Sequence, residues 1–349
     1  LGDMEKWERY ANSLRLRLAM RVATQGALQA EGRAVIKEIL ENPADYPLVE
    51  EQGNNIFIVN QKSGQLNFTA GHGLGDWVTN RLASGAIIDR MLGHGNYDMT
   101  SSDPLSGVYV KGEDDPRILL NYNPVSITNR ETGQMDEHRY LGTDLTVADE
   151  LTEYYSARAQ DEVNTANKGF SQITQRGFFW ENDKFDMLIM ASPEIHFLKA
   201  EAYAMGYGVA QDMAKAEEEF KTAVSQSIAL YYYYDSIGSG ENCRRYDAPT
   251  DEEIADFANA KWNSTAYVDK LDAIITQKWL HFGFLVSREA WSDIRRTGYP
   301  SGLVFPEVSG TIPNVPNRWR YPSTEVNYNP YYKDVAGTDT YTEKLFWAK

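Results

Sequence analysis

Cysteine is nearly absent: Cys243 stands alone among 349 residues, so no internal disulfide framework and no cysteine-rich metal site can form. Histidine is almost as scarce. His72, His94, His138, His196 and His281 are scattered, with no His-Glu-x-x-His pair and no Cys/His spacing, and the sequence calls for no metal and no cofactor. No run approaches the roughly 18 uninterrupted apolar residues of a membrane helix. Positive charge is in deficit as well. The 34 Lys and Arg face 50 Asp and Glu, a net charge of -16 that repels nucleic-acid phosphates and offers no polybasic patch to a membrane. A Gly-x-Ser-x-Gly elbow is missing. Gly71, Gly73 and Gly75 lack the later glycine and the preceding buried strand of a dinucleotide fingerprint, and read as a loop.

Aromatic residues are plentiful instead. They form 12% of the chain, with 22 Tyr and 8 Trp, in a sequence whose mean hydropathy is only -0.51. Many rings must therefore sit among polar neighbours, and some are expected at the surface.

Periodicity predicts helices at both ends of the chain, separated by an irregular middle. From Asp3, a plausible N-cap, to about Val22, the residues Trp7, Tyr10, Ala11, Leu14 and Leu18 recur at helical steps. A second helix through Ala34, Val35, Ile39 and Leu40 stops at Asn42-Pro43, so residues 1–44 read as a helical hairpin. Residues 45–190 read as a loop-rich part: a β-prone run at Asn55-Ile56-Phe57-Ile58-Val59-Asn60, a helical stretch from Leu82 to Leu92, then Gly, Asp, Asn, Tyr and Pro in density. Helices return over 191–300 at Pro193 to Met205, Asp212 to about Leu230, Asp251 to Ala260 and Ala266 to Phe282, with a short one through Trp291 and Ile294. Ala204, Tyr207, Ala216, Phe220 and Ala223 fall at tetratricopeptide spacing. Tyr231 to Tyr234 are too many for one helix face, so at least one must reach solvent or a loop. Residues 301–349 read as a C-terminal loop segment.

Several segments, in order, resemble the SusD/RagB family of Bacteroidetes outer-membrane proteins. Lys6-Trp7 followed by Ala11-Asn12-Ser13-Leu14 and Leu16-Arg17-Leu18-Ala19 resembles a helix that the family places in mid-chain. Asp115-Pro116-Arg117 resembles its DPR turn, and Tyr140-Leu141-Gly142 its Tyr-x-Gly. Glu194, Phe197, Ala200, Glu201 and Ala202 resemble its Ala- and Glu-bearing helix, with Pro193 where alanine is usual. Most distinctive are Gln277-Lys278-Trp279 and Glu289-Ala290-Trp291-Ser292-Asp293-Ile294-Arg295-Arg296-Thr297-Gly298-Tyr299-Pro300; Arg318, Tyr321-Pro322, Glu325 and Asn329 resemble a terminal segment. Arg295 and Arg296 at a helix end, before a Gly298 able to take positive φ, suggest a structural part for this signature. Arg318, Arg320 and Glu325 are expected to pin the terminal loop.

The resemblance implies a mainly α fold, tetratricopeptide-like helical pairs packed against a loop-rich half with few short strands, forming one SusD-like domain over 1–349. It also implies a cell-surface, outer-membrane lipoprotein without catalytic activity, which binds an oligosaccharide or other polymeric nutrient and delivers it to a SusC-like TonB-dependent transporter. Leu1 is not an initiator Met and a helix starts at once, so upstream sequence is expected; membrane attachment would be through an N-terminal lipid anchor outside this chain. Rings stack on the C–H faces of sugars while Asn, Asp and Arg pair with their hydroxyls. The candidate glycan-binding residues are accordingly Trp77, Asn96, Tyr97, Asp98, Tyr109, Tyr122, Tyr154 and Trp180. Two alternatives stay open: a tetratricopeptide-like protein-interaction scaffold, and a glycan-cleaving enzyme, since 50 carboxylates leave a catalytic pair possible.

Overall fold

The computed structural model describes residues 2–59, 82–98, 101–128, 135–144, 170–173, 182, 184–238, 246–303 and 315–349. Helices dominate, and the strands are short. Helix α1 (Met4–Val22) starts at Asp3, whose carboxylate accepts from the N–H groups of Glu5 and Lys6 at 3.1 and 3.3 Å. It pairs with α2 (Gln29–Glu41). Three antiparallel two-stranded ladders follow from the middle of the chain: β1 (Ile56–Ile58) with β6 (Met187–Met190), β2 (Tyr122–Asn123) with β5 (Gln172–Ile173), and β3 (Val125–Thr128) with β4 (Met135–Arg139). Between them lie the short helices α3 (Gly85–Met91) and α4 (Ile118–Asn121).

The C-terminal helices are α5 (Ser192–Met205), α6 (Met213–Ile237), α7 (Asp251–Asn263), α8 (Lys270–Phe282), α9 (Ser287–Thr297) and the single-turn α10 (Ser323–Tyr328). Side-chain chemistry sets their ends. Gly206 caps α5 at φ 68°, Asp212 caps α6, and Thr250 and Glu253 form a reciprocal capping box on α7. Periodicity places the start of α8 near Ala266, but Asp269 accepts from the N–H of Asp272 at 2.8 Å and so delays the first helical residue to Lys270.

Helix α5 is buried almost all round, as a helix without an amphipathic stripe must be. Phe197, Ala200 and Ala204 join a large core with Ala216, Phe220 and Ala223 of α6 and Ala273 and Ile274 of α8. On another side, Ile195, Leu198 and Ala202 join a second core with Leu16 and Met20 of α1 and Ile36 and Ile39 of α2. Burying each large apolar side chain contributes about 1.5–3 kcal/mol, and the alanines let the helix axes approach. The turn after α5 seats on α2: a Cβ on Gly208, at φ 74°, would lie 2.2 Å from the Arg33 carbonyl oxygen.

Several polar groups in these cores are paired. Arg117 of the DPR turn lies wholly buried and donates to Asp115 (2.9 Å), Ser227 (2.8 Å) and Gln277 (2.8 Å). Arg17 of α1 grips Glu194 of α5 through two 2.5 Å bonds. In the tyrosine run, Tyr231, Tyr232 and Tyr234 turn inward and donate to the carbonyls of His281 (3.0 Å), Pro116 (3.1 Å) and Asp186 (3.1 Å), while Tyr233 is 51% exposed.

The twin arginines of α9 differ in part from the sequence-based expectation. Gly298 does terminate the helix, at φ 79°. Arg296 stands in the last turn as expected, but its side chain turns inward to Glu201 of α5 and to Asp293. Arg295 lies between the rings of Trp291 and Trp347, 3.6 and 4.7 Å from their centroids.

Candidate functional site

Helix α8 ends at Gly283, and the turn through Phe284 to Val286 leads at once into α9. Trp279 and Phe284, Trp291 and Ile294, Ile87 and Met91 of α3, and Asn121 and Tyr122 together line one space. The result is an open groove of about 220 Å³. Small-molecule sites commonly measure about 300–1,000 Å³, so this groove suits one unit or substituent of a longer ligand.

Its walls are held firmly. Tyr122 and Phe284 pack with ring centroids 5.9 Å apart. Arg90 lies over the Trp279 ring at 5.9 Å and donates to the carbonyls of Ala86 (2.7 Å) and Ser301 (2.6 Å). Trp291 donates its indole N–H to the Pro316 carbonyl at 2.9 Å, and Arg295 covers its other face. Burial and the nearby charge of Arg21 lower the Arg295 guanidinium to about 10. No charged residue lines the groove among the described residues. It can hold a ligand, but its lining has no acid, base or metal-binding carboxylate to act on one.

From Trp291 the aromatic surface continues outward. Trp319 meets Trp291 edge-on at 5.8 Å and is 74% exposed. Tyr321, Tyr328 and Tyr331 are exposed on the same C-terminal segment. That segment is fixed by polar bonds rather than burial. Asp339 accepts from the Tyr321 N–H and the Tyr332 hydroxyl, both at 2.9 Å, and lies 3.7 Å from Arg318 and from Arg320. The two arginines thus have the pinning part expected of them. Among the described residues the Glu325 carboxylate bonds only locally, accepting from the Asn329 amide at 2.9 Å.

The residues singled out from the sequence are placed as follows. Trp77, Tyr154 and Trp180 lie outside the described residues. Asn96 clips the backbone of Gly142, donating to its carbonyl (3.1 Å) and accepting its N–H (2.7 Å), where a Cβ on Gly142 would meet the Gly85 nitrogen at 2.4 Å. Tyr97, 8% exposed, packs beneath Arg139. Asp98 is exposed, and its N–H bonds to Ser106. Tyr109 is half-buried against the core, and burial together with Asp115 and Asp114 raises its phenol above the usual range. Tyr122, 3% exposed, belongs to the groove. Among the five described candidates, Asn96, Tyr97 and Asp98 share one loop and Tyr122 alone joins the groove. Sequence reasoning missed Trp279, Phe284 and Trp291 because helical periodicity reads them as core. The available signal was Gly283, a helix break between two tryptophan-bearing segments.

Residues 1–322 match the model of a SusD-like family described as starch-binding and associating with the outer membrane. Among solved structures the chain is similar to a chitin-binding protein, with 23% identity and a TM-score of 0.69 over 100% of this chain and 66% of that one. It is also similar to a SusD homologue from Parabacteroides distasonis (22%, TM-score 0.66, 99% and 67%) and to one from Bacteroides fragilis (18%, TM-score 0.68, 99% and 68%). At these identities the likeness concerns the fold. The chain spans about two thirds of the length of these solved relatives. No curated protein sequence matches it.

Proposed function

We propose that this chain, which belongs to the SusD-like family, captures a neutral glycan at the cell surface on an aromatic platform and passes it on without chemical change. The observation that carries this reading is the ring-lined groove of Tyr122, Trp279, Phe284 and Trp291, extended by the exposed Trp319. Flat rings present π faces to the C–H faces of sugars. A groove smaller than a whole oligosaccharide, opening onto further exposed rings, suits a chain molecule lying across the surface. Net charge favours a neutral or cationic ligand over an acidic one. The family's description, and the chitin-binding name of one relative of the same fold, support a polysaccharide as the ligand class.

Delivery would be to a SusC-like TonB-dependent transporter in the outer membrane, with attachment by a lipid. Affinity electrophoresis and calorimetry over plant, host and microbial glycans, with product analysis of every glycan bound, test the reading. Binding without turnover is expected. Turnover of a bound glycan, or binding to none of the panel, would overturn it, and transporter association without any glycan binding would favour an interaction scaffold.

A further inference from the structure

Between Val315 and Phe346 a single residue is buried, and it is a carboxylate: Asp339, 3% exposed. A charge withdrawn from water is tolerated only beside close polar partners, and here the partners come from two separate stretches of chain. Oδ1 accepts from the Tyr321 N–H at 2.9 Å and lies 3.7 Å from Arg318; Oδ2 accepts from the Tyr332 hydroxyl at 2.9 Å and lies 3.7 Å from Arg320. Arg318 in turn donates to the Trp319 carbonyl at 3.2 Å and lies 5.0 Å over the Tyr321 ring, and Tyr321 meets Tyr332 edge-on at 6.2 Å. One carboxylate thus ties the stretch bearing Trp319 and Tyr321 to the stretch bearing Tyr328 and Tyr331, whose side chains stand 83% and 73% exposed.

Rings on an irregular, exposed segment bind weakly if the ligand must first order them, and a segment fixed beforehand avoids that loss. Basic and acidic side chains nearly balance in this segment, in a chain of net charge -16, so its surface suits an uncharged ligand. Resting on the glycan-binding reading above, we propose that the platform runs beyond Trp319 onto Tyr328 and Tyr331, that its ligand is a long linear neutral glycan spanning both stretches, and that Asp339 is the positioning residue holding them in register. A short oligosaccharide touches the groove and Trp319 and does not sense Asp339. A long one rests on both stretches and does.

Calorimetry with the di-, tetra- and hexasaccharides of the malto, cello and chito series, and of any other glycan the wider panel identifies, tests this on the parent, Asp339→Ala and Tyr332→Phe. Tyr332→Phe removes one hydroxyl from a half-buried side chain and leaves every exposed ring in place. In the series that binds, parent affinity is expected to rise with length, and each variant to lose about three- to ten-fold for the hexasaccharide and nothing for the shortest binder, at an unchanged melting temperature. Hydrogen exchange of the Tyr321 amide, measured without ligand, should quicken in Asp339→Ala. Parent affinity that does not rise with length, unchanged hexasaccharide affinity in either variant, an equal loss at every length, or unaltered Tyr321 exchange overturns the proposal and leaves glycan binding standing. Binding to no glycan of the series or the panel removes the glycan reading itself, and this proposal with it.

Discussion

Arg296 reaches from the last turn of α9 to Glu201 in the middle of α5, and the two side chains form a bidentate pair at 2% and 0% exposure, one arm measuring 2.8 Å. Lys278 and Asp293 complete the cluster, with Lys278 2.9 Å from the Asp293 carboxylate. Burial pushes that carboxyl up, but Lys278 and Arg296 outweigh it and hold it at about 2. Removing one partner strands a buried charge, which costs about 3–5 kcal/mol. Glu201→Gln is therefore expected to lower the urea midpoint strongly, whereas replacing Glu201 and Arg296 together by apolar residues costs much less. A double-mutant cycle by urea denaturation checks this.

His281 sets the response to mild acid. It is fully buried, and burial, with the charges of Arg117 and Lys278, lowers its imidazole from 6.5 to about 3. As pH falls below about 6.5 the unfolded chain takes up a proton that the folded form refuses. Stability is thus complete above the unfolded value and is lost down to about pH 3, with a slope approaching 1.4 kcal/mol per pH unit. Asp293 adds a lower window, its contribution being lost as pH falls from about 3.8 towards 2. Urea unfolding of His281→Leu at several pH values should show a flatter slope between pH 6 and 4 than the parent.

Gly208 and Gly302 both have positive φ, at 74° and 68°, but only Gly208 faces a neighbouring backbone. Among the described residues Ala at Gly302 meets nothing within 4 Å, and it should cost about 1 kcal/mol from backbone strain. Ala at Gly208 must also push α2 away, so a loss of about 2 kcal/mol or more is expected. Melting temperatures of the two variants give the comparison.

Trp319 separates binding from folding. Its exposure predicts that Trp319→Ala changes stability by no more than about 0.5 kcal/mol. Loss of a stacking ring, about 0.5–1.5 kcal/mol, should weaken glycan affinity roughly two- to ten-fold. Calorimetry alongside a thermal melt measures both.

Much of the scaffold is legible in the sequence because caps and periodicity are local. Asp3, Asp212, Gly206 and Gly298 mark helix ends by their own side-chain or backbone chemistry. The run Tyr231 to Tyr234 requires by helical geometry that at least one ring reach solvent or a loop, and Tyr233 is exposed. The groove is another matter. It gathers Ile87, Asn121, Trp279 and Trp291 from distant segments, and periodicity cannot distinguish a tryptophan that is covered from one left half-open. The direction of Arg296 was hidden for a related reason: the dipole of its own helix is a local cue, whereas Glu201 lies 95 residues away.

Helix α5 is a party wall, plastered on both sides by different rooms of the protein. Heat cannot empty one room and leave the other standing, since the loss of either strips half the support from the same fourteen residues. Melting should accordingly be a single cooperative event rather than a staircase, and a defect seeded near α2 is felt as far away as α8.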